Sequence, residues 1–140
     1  MKKKILVVDH DDLERDSLKE LLNSKGYAVT ACSNGIDALE KLDTESFGLV
    51  VCALEMPGIN GLDTVLSLRT TSQKLKRDNA NESVPVIFTT TRGDLKSKQG
   101  AEKAAPIAVL TKPFDDAILL ALAHEVFSRI PEPKQVKRDR

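Results

Sequence analysis

Cysteine is scarce in this chain. Of 140 residues only Cys32 and Cys52 are cysteine, far apart and without CxxC spacing, which excludes a disulfide framework or a structural zinc site and points to a reducing compartment. Both read as small apolar fillers. Cys52 alternates with Ala53 along an apolar run and is expected to face the opposite way, which argues against a redox role. An excess of charge of one sign is also missing, since 21 basic and 21 acidic residues cancel to a formal net charge of zero. Nucleic acid and anionic membranes therefore have no electrostatic claim on the chain, and binding must be local. No apolar run approaches the length of a bilayer span. The opening MKKKILVVDHDD carries the lysines of a signal peptide, but its apolar stretch ends at Val8 and meets acids at once, so the reading is cytoplasmic. Repeats and low-complexity tracts are absent.

What is present is a regular alternation. The 41% of apolar residues against 30% charged suits one domain with one core, placed at residues 1–130. Lys4 to Val8 is a continuous apolar run, the pattern of a strand covered on both faces, and Leu13, Leu18, Leu21 and Leu22 follow at helical spacing. Gly26 ends that helix. A strand from Tyr27 to Cys32 leads to Ser33 and Asn34, which can cap a second helix carrying Ile36, Ala38, Leu39 and Leu42. Gly48 to Ala53 is the third strand, with a helix opening at Gly61. Val84 to Thr90 is the fourth, its proline near the start, followed by a helix from about Asp94 to Ala104. Ile107 to Leu110 is the fifth. A last helix is expected to bury Phe114, Ala117, Ile118, Ala121, Leu122 and Val126. Five such units predict an α/β fold with a doubly wound, five-stranded parallel sheet.

Two segments fall outside this pattern. Arg69 to Ser83 reads as a helix extension plus a mobile loop, and residues 131–140 as a disordered charged tail or linker. Neither offers chemistry.

In such sheets the working crevice lies beyond the carboxyl ends of the strands, where strand order reverses. The residues there are Asp9 to Asp12, Ala53 to Pro57, Thr89 to Thr91 and Thr111 to Pro113. Taken together, KILVVDHDD, MPGINGLD, PVIFTTT and LTKPF resemble the receiver domain of two-component response regulators, over nearly the whole chain to about Ile130. The resemblance implies a flavodoxin-like (βα)5 frame. It also implies an aspartate that takes a phosphoryl group from a histidine kinase, Mg²⁺ held among acids, and a hydroxyl and a lysine that bind the phosphoryl oxygens. On this match Asp9 is the first acid, Thr90 the hydroxyl and Lys112 the lysine.

The departures matter more. Four residues before Pro57, the phosphoacceptor position holds Ala53, and a methyl group cannot attack phosphorus. His10 stands where receivers carry the acid that touches the metal, and hard Mg²⁺ disfavours imidazole. Val109 replaces the aromatic ring that swings in many receivers. The chain therefore looks like a degenerate receiver with no enzymatic activity and weak or absent Mg²⁺ binding. Asp11 and Asp12 read as a helix N-cap and first turn. His10 is expected to form a hydrogen-bonded pair with Asp9, and Lys112 to pair with Asp9. Glu55, the nearest carboxylate to the vacant position, could in principle be a substitute acceptor but is expected to point elsewhere. A signalling protein partner is expected on the face of the fourth helix, fifth strand and fifth helix, with Lys96, Gln99, Lys103, Val109 and Phe114. The chain itself is expected as a monomer or weak homodimer. A flavodoxin-like small-ligand binder is the disfavoured reading, because no Gly-rich phosphate loop follows Val8.

Overall fold

The computed structural model describes residues 3–74, 81 and 83–129. The elements run β1 (Lys4–Val8), α1 (Asp12–Ser24), β2 (Ala28–Cys32), α2 (Gly35–Thr44), β3 (Leu49–Ala53), α3 (Gly61–Lys74), β4 (Val86–Thr90), α4 (Leu95–Ala101), a 3-10 turn (Glu102–Ala104), β5 (Ala108–Thr111) and α5 (Asp116–Arg129). All strand pairs are parallel, in the order β2-β1-β3-β4-β5. The order reverses between β1 and β3. The crevice therefore opens above Val8 and Ala53.

Both faces of the sheet are covered, which is why β1, β3 and β4 read as unbroken apolar runs. Leu6, Val8, Val50, Cys52, Val86 and Phe88 face one core with Ala38, Leu42, Val65 and Leu68. Ile5, Val7, Leu49, Val51 and Ile87 face the other, with Leu18 and Leu22 of α1 and Leu119, Ala123, Val126 and Phe127 of α5.

Helix starts follow local chemistry. Asp11 accepts the N–H groups of Leu13 and Glu14, Asn34 accepts that of Asp37, and Asp94 that of Ser97, each satisfying a donor that a first turn leaves unpaired. At the other end of α1, Gly26 takes φ +92°. That left-handed conformation favours glycine and stops the helix where the sequence placed its end.

The structure corrects several boundaries. β4 begins at Val86 rather than Val84, because Pro85 cannot donate to the ladder; its carbonyl still accepts Val50 N at 3.0 Å. β2 and β3 each start one residue later than expected, and β5 lies one residue further on. The expected helix from Asp94 to Ala104 is broken into α4 and the 3-10 turn: Gly100 weakens the last turn, and Ala105 enters the left-handed region at φ 52°.

The largest correction concerns α5. Its buried stripe is Leu119, Ala123, Val126 and Phe127, whereas Ala117, Ile118 and Ala121 are exposed and Phe114 precedes the helix. The run Ile118 to Ala123 is apolar on every side, so periodicity does not fix which side turns inward. Packing decides. Phe127 lies 5.2 Å from Tyr27, ring to ring, and so close to Gly48 that a methyl group there would sit 2.3 Å from its Cε1.

The long passage after α3 was legible only in part. α3 does extend to Lys74, as expected, while residues 75–80 and 82 and the expected tail at 131–140 lie outside the described residues. Asn81, however, is buried, accepting Phe47 N and donating to the carbonyls of Leu42 and Glu45. It pins this passage to the end of α2 and the entry to β3. An asparagine read as a loop signal is a structural anchor here.

Candidate functional site

The crevice is built from four strand ends. β3 stops at Ala53 because the chain must turn through Met56-Pro57-Gly58, with Gly58 at φ +78°, and return as α3. That return is close. A Cβ on Gly61 would lie 2.1 Å from the Ala53 carbonyl oxygen, and Gly61 N donates to Leu54 O at 2.9 Å. Ala53 itself is 2% exposed. The position that the receiver pattern gives to the phosphoacceptor thus holds a buried methyl group and no oxygen.

Asp9, at the end of β1, is buried and fully engaged. Its Oδ2 accepts Lys112 Nζ at 3.0 Å, and its Oδ1 accepts Asp11 N at 2.9 Å. The Lys112–Asp9 pair expected from the sequence is present. His10 behaves differently: it is half exposed, and its Nδ1 lies 3.9 Å from Asp9 Oδ1, too far for a hydrogen bond. The expected hydrogen-bonded pair is corrected to a loose contact: the half-exposed ring stays beyond hydrogen-bond distance of the buried carboxylate. Arg15 was missed by the sequence reading. Its Nη1 donates to the Asp9 carbonyl at 2.9 Å and its Nη2 to Asp12 at 2.6 Å, tying the first turn of α1 to the end of β1.

The second correction is Glu55, expected to point away. Instead Glu55 Oε2 accepts the Thr90 hydroxyl at 2.5 Å, and Oε1 accepts Thr91 N at 3.0 Å and the Thr91 hydroxyl at 3.4 Å. The reason is register. Ala53 pairs with Thr89, and Leu54 N still donates to Thr89 O at 2.8 Å, so the chain stays alongside β4 and Glu55 falls level with Thr91. Thr90 Oγ1 also accepts Arg92 N at 2.9 Å, and Lys112 N donates to Thr90 O at 2.7 Å. Thr91 had no role in the sequence reading. Continuing the parallel register two residues past Ala53 would have found it.

The family implies Mg²⁺, and the residues present do not fit it. Asp9 has both oxygens engaged, His10 offers nitrogen, and Ala53 offers nothing. Among the described residues no three His, Cys, Asp or Glu side chains converge as they would around a metal ion. Cys52 lies beneath the crevice, and burial, with a further push from the Asp9 charge, raises its thiol to about 12. At neutral pH it is a thiol, inert as a nucleophile.

On the other flank, Lys96, Gln99 and Lys103 are exposed, while Val109 and Phe114 are half-buried and pack against opposite cores. Leu95, Ile107 and Ile118 add apolar surface, 70%, 39% and 48% exposed.

Comparison with known proteins agrees with this geometry. A family model of the response regulator receiver domain matches residues 5–124. The chain belongs to that family. The CpxR homologue of Haemophilus influenzae, a transcriptional regulatory protein, is 35% identical over 131 residues, 93% of this chain and 52% of its own length. CpxR of Escherichia coli is 38% identical over 127 residues, 90% of this chain and 50% of its own. The chain thus spans about half the length of these relatives. The BeF3-activated DrrB receiver domain superposes with a TM-score of 0.75 at 29% identity, covering 92% of this chain and all of that one. CheY4 of Vibrio cholerae, at 24% identity, shares the fold with a TM-score of 0.77 over 90% of this chain and 99% of its own. The fold is therefore the flavodoxin-like receiver fold, and the chain is a receiver domain of two-component signalling.

Proposed function

We propose that this receiver is degenerate and works as a phosphorylation-independent protein-interaction module. The observation that carries the reading is the filled crevice. Ala53 leaves no nucleophile, Lys112 is spent on Asp9 and Thr90 on Glu55. Neither the lysine nor the hydroxyl of the receiver pattern is left for a phosphoryl oxygen, so the module is not an enzyme and takes part in no phosphoryl transfer of its own. The signalling partner docks on the face formed by α4, β5 and α5, where Lys96, Gln99 and Lys103 are exposed, as are Leu95, Ile107 and Ile118. Exposed apolar and polar side chains together suit a protein surface. With zero net charge, the domain itself has no nucleic acid or membrane partner. It works in the cytoplasm, as a monomer or weak homodimer.

Metal and phosphate-mimic binding test the reading. Millimolar Mg²⁺, alone or with beryllium fluoride, is expected to leave the melting temperature unchanged, because a ligand stabilises a fold only where its site fills well beyond its dissociation constant. A clear Mg²⁺-dependent rise would show that His10 and Ala53 have not emptied the site.

A further inference from the structure

We propose that the Glu55 carboxylate is a resident anion in the seat that receivers keep for phosphoryl oxygens, and that it latches the β4–α4 loop permanently. The inference rests on the degenerate reading above and says how the vacated site is regulated. Three donors converge on the two carboxylate oxygens: the Thr90 hydroxyl at 2.5 Å, Thr91 N at 3.0 Å and the Thr91 hydroxyl at 3.4 Å. Two hydroxyls and a backbone N–H around one small anion make a seat for a tetrahedral oxyanion as readily as for a carboxylate.

The latch reaches further than its own contacts. Thr90 Oγ1, while donating to Glu55, accepts Arg92 N at 2.9 Å. One carboxylate on the β3–α3 loop thus holds the last residue of β4 and Thr91 directly, and Arg92 through Thr90. Two residues on, Asp94 caps α4. The start of the proposed docking face is therefore positioned by an acid the chain carries, in place of one that a kinase would add. Because the anion is tethered to β3, its effective concentration exceeds that of free phosphate, and no diffusing anion displaces it.

Removing the carboxylate tests this in two ways. In Glu55→Ala the amides of Thr91 and Arg92 are expected to exchange hydrogen about tenfold faster or more, the loss of charge-assisted bonds, while amides of β1 and α1 keep their rates. The emptied seat is also expected to bind inorganic phosphate, seen as saturable shifts of the Thr90, Thr91 and Arg92 amide resonances that the wild-type chain does not show. Glu55→Gln keeps a neutral acceptor without the charge. It is expected to fall between the two, and it decides the matter should Glu55→Ala fail to fold. Unchanged exchange at Thr91 and Arg92 in the variants, or equal phosphate binding by the wild-type chain, would overturn the latch. Phosphorylation of the wild-type chain would instead overturn the degenerate reading, so the two failures are separable.

Discussion

Lys112→Met is expected to cost the fold about 3 kcal/mol, the low end of what removing one partner of a buried ion pair costs. Asp9 is 1% exposed and its Oδ2 has Lys112 Nζ at 3.0 Å. Methionine keeps the length of the side chain and removes the ammonium. Asp9 then retains one backbone donor, Asp11 N, and a buried carboxylate held by a single N–H is poorly compensated. Adding Asp9→Asn removes the stranded charge and should recover most of the loss. Denaturant unfolding of both variants checks this. A loss below about 1 kcal/mol for Lys112→Met, in the range of exposed pairs, would mean that the crevice is not internally neutralised.

The second large effect is a gain of function in steps. Ala53→Asp alone is expected to take up little phosphoryl label and to destabilise the fold by about 1 kcal/mol, since the new carboxylate must share Lys112 with Asp9. Adding His10→Asp supplies the oxygen ligand that Mg²⁺ prefers and should restore metal binding and phosphoacceptance. Labelling should rise again when Glu55→Ala is added, because Thr90 is then released to face the phosphoryl group. Phosphoryl incorporation from a small donor, measured for the single, double and triple variants, gives the order. Efficient labelling of Ala53→Asp alone would show that neither His10 nor Glu55 obstructs the site.

Much of the frame was legible because parallel strands buried on both faces write themselves as apolar runs, and because Asp11, Asn34 and Asp94 mark helix starts chemically. The Lys112–Asp9 pair followed from charge: two opposite groups at strand ends on the same crevice, with no phosphate or acceptor aspartate for the lysine to face. What the sequence hid depends on phase and register. The inward side of α5 is ambiguous in a helix apolar all round, and Phe127 against Gly48 resolves it. Glu55 was hidden because it lies two residues past the end of β3, where the parallel register with β4 still governs although the strand has ended. Asn81 was hidden for a different reason. Its bonds to Phe47, Leu42 and Glu45 reach more than 30 residues away in sequence.

The two corrections at the site point the same way. Had Glu55 faced solvent, Thr90 would have stood ready for a phosphoryl oxygen; instead Glu55 holds Thr90 and Thr91, and Asp9 holds Lys112, so the hydroxyl and the lysine of the receiver pattern both have partners in the chain itself. The receiver frame is retained, and on the proposed reading its chemistry is closed off.

The central claim is that no acid in this receiver accepts a phosphoryl group, and the intact mass of the wild-type chain tests it most directly. After incubation with a small phosphodonor and Mg²⁺, the account predicts an unchanged mass. A stable phosphoryl adduct, mapped to Glu55 or to any other acid, would contradict it.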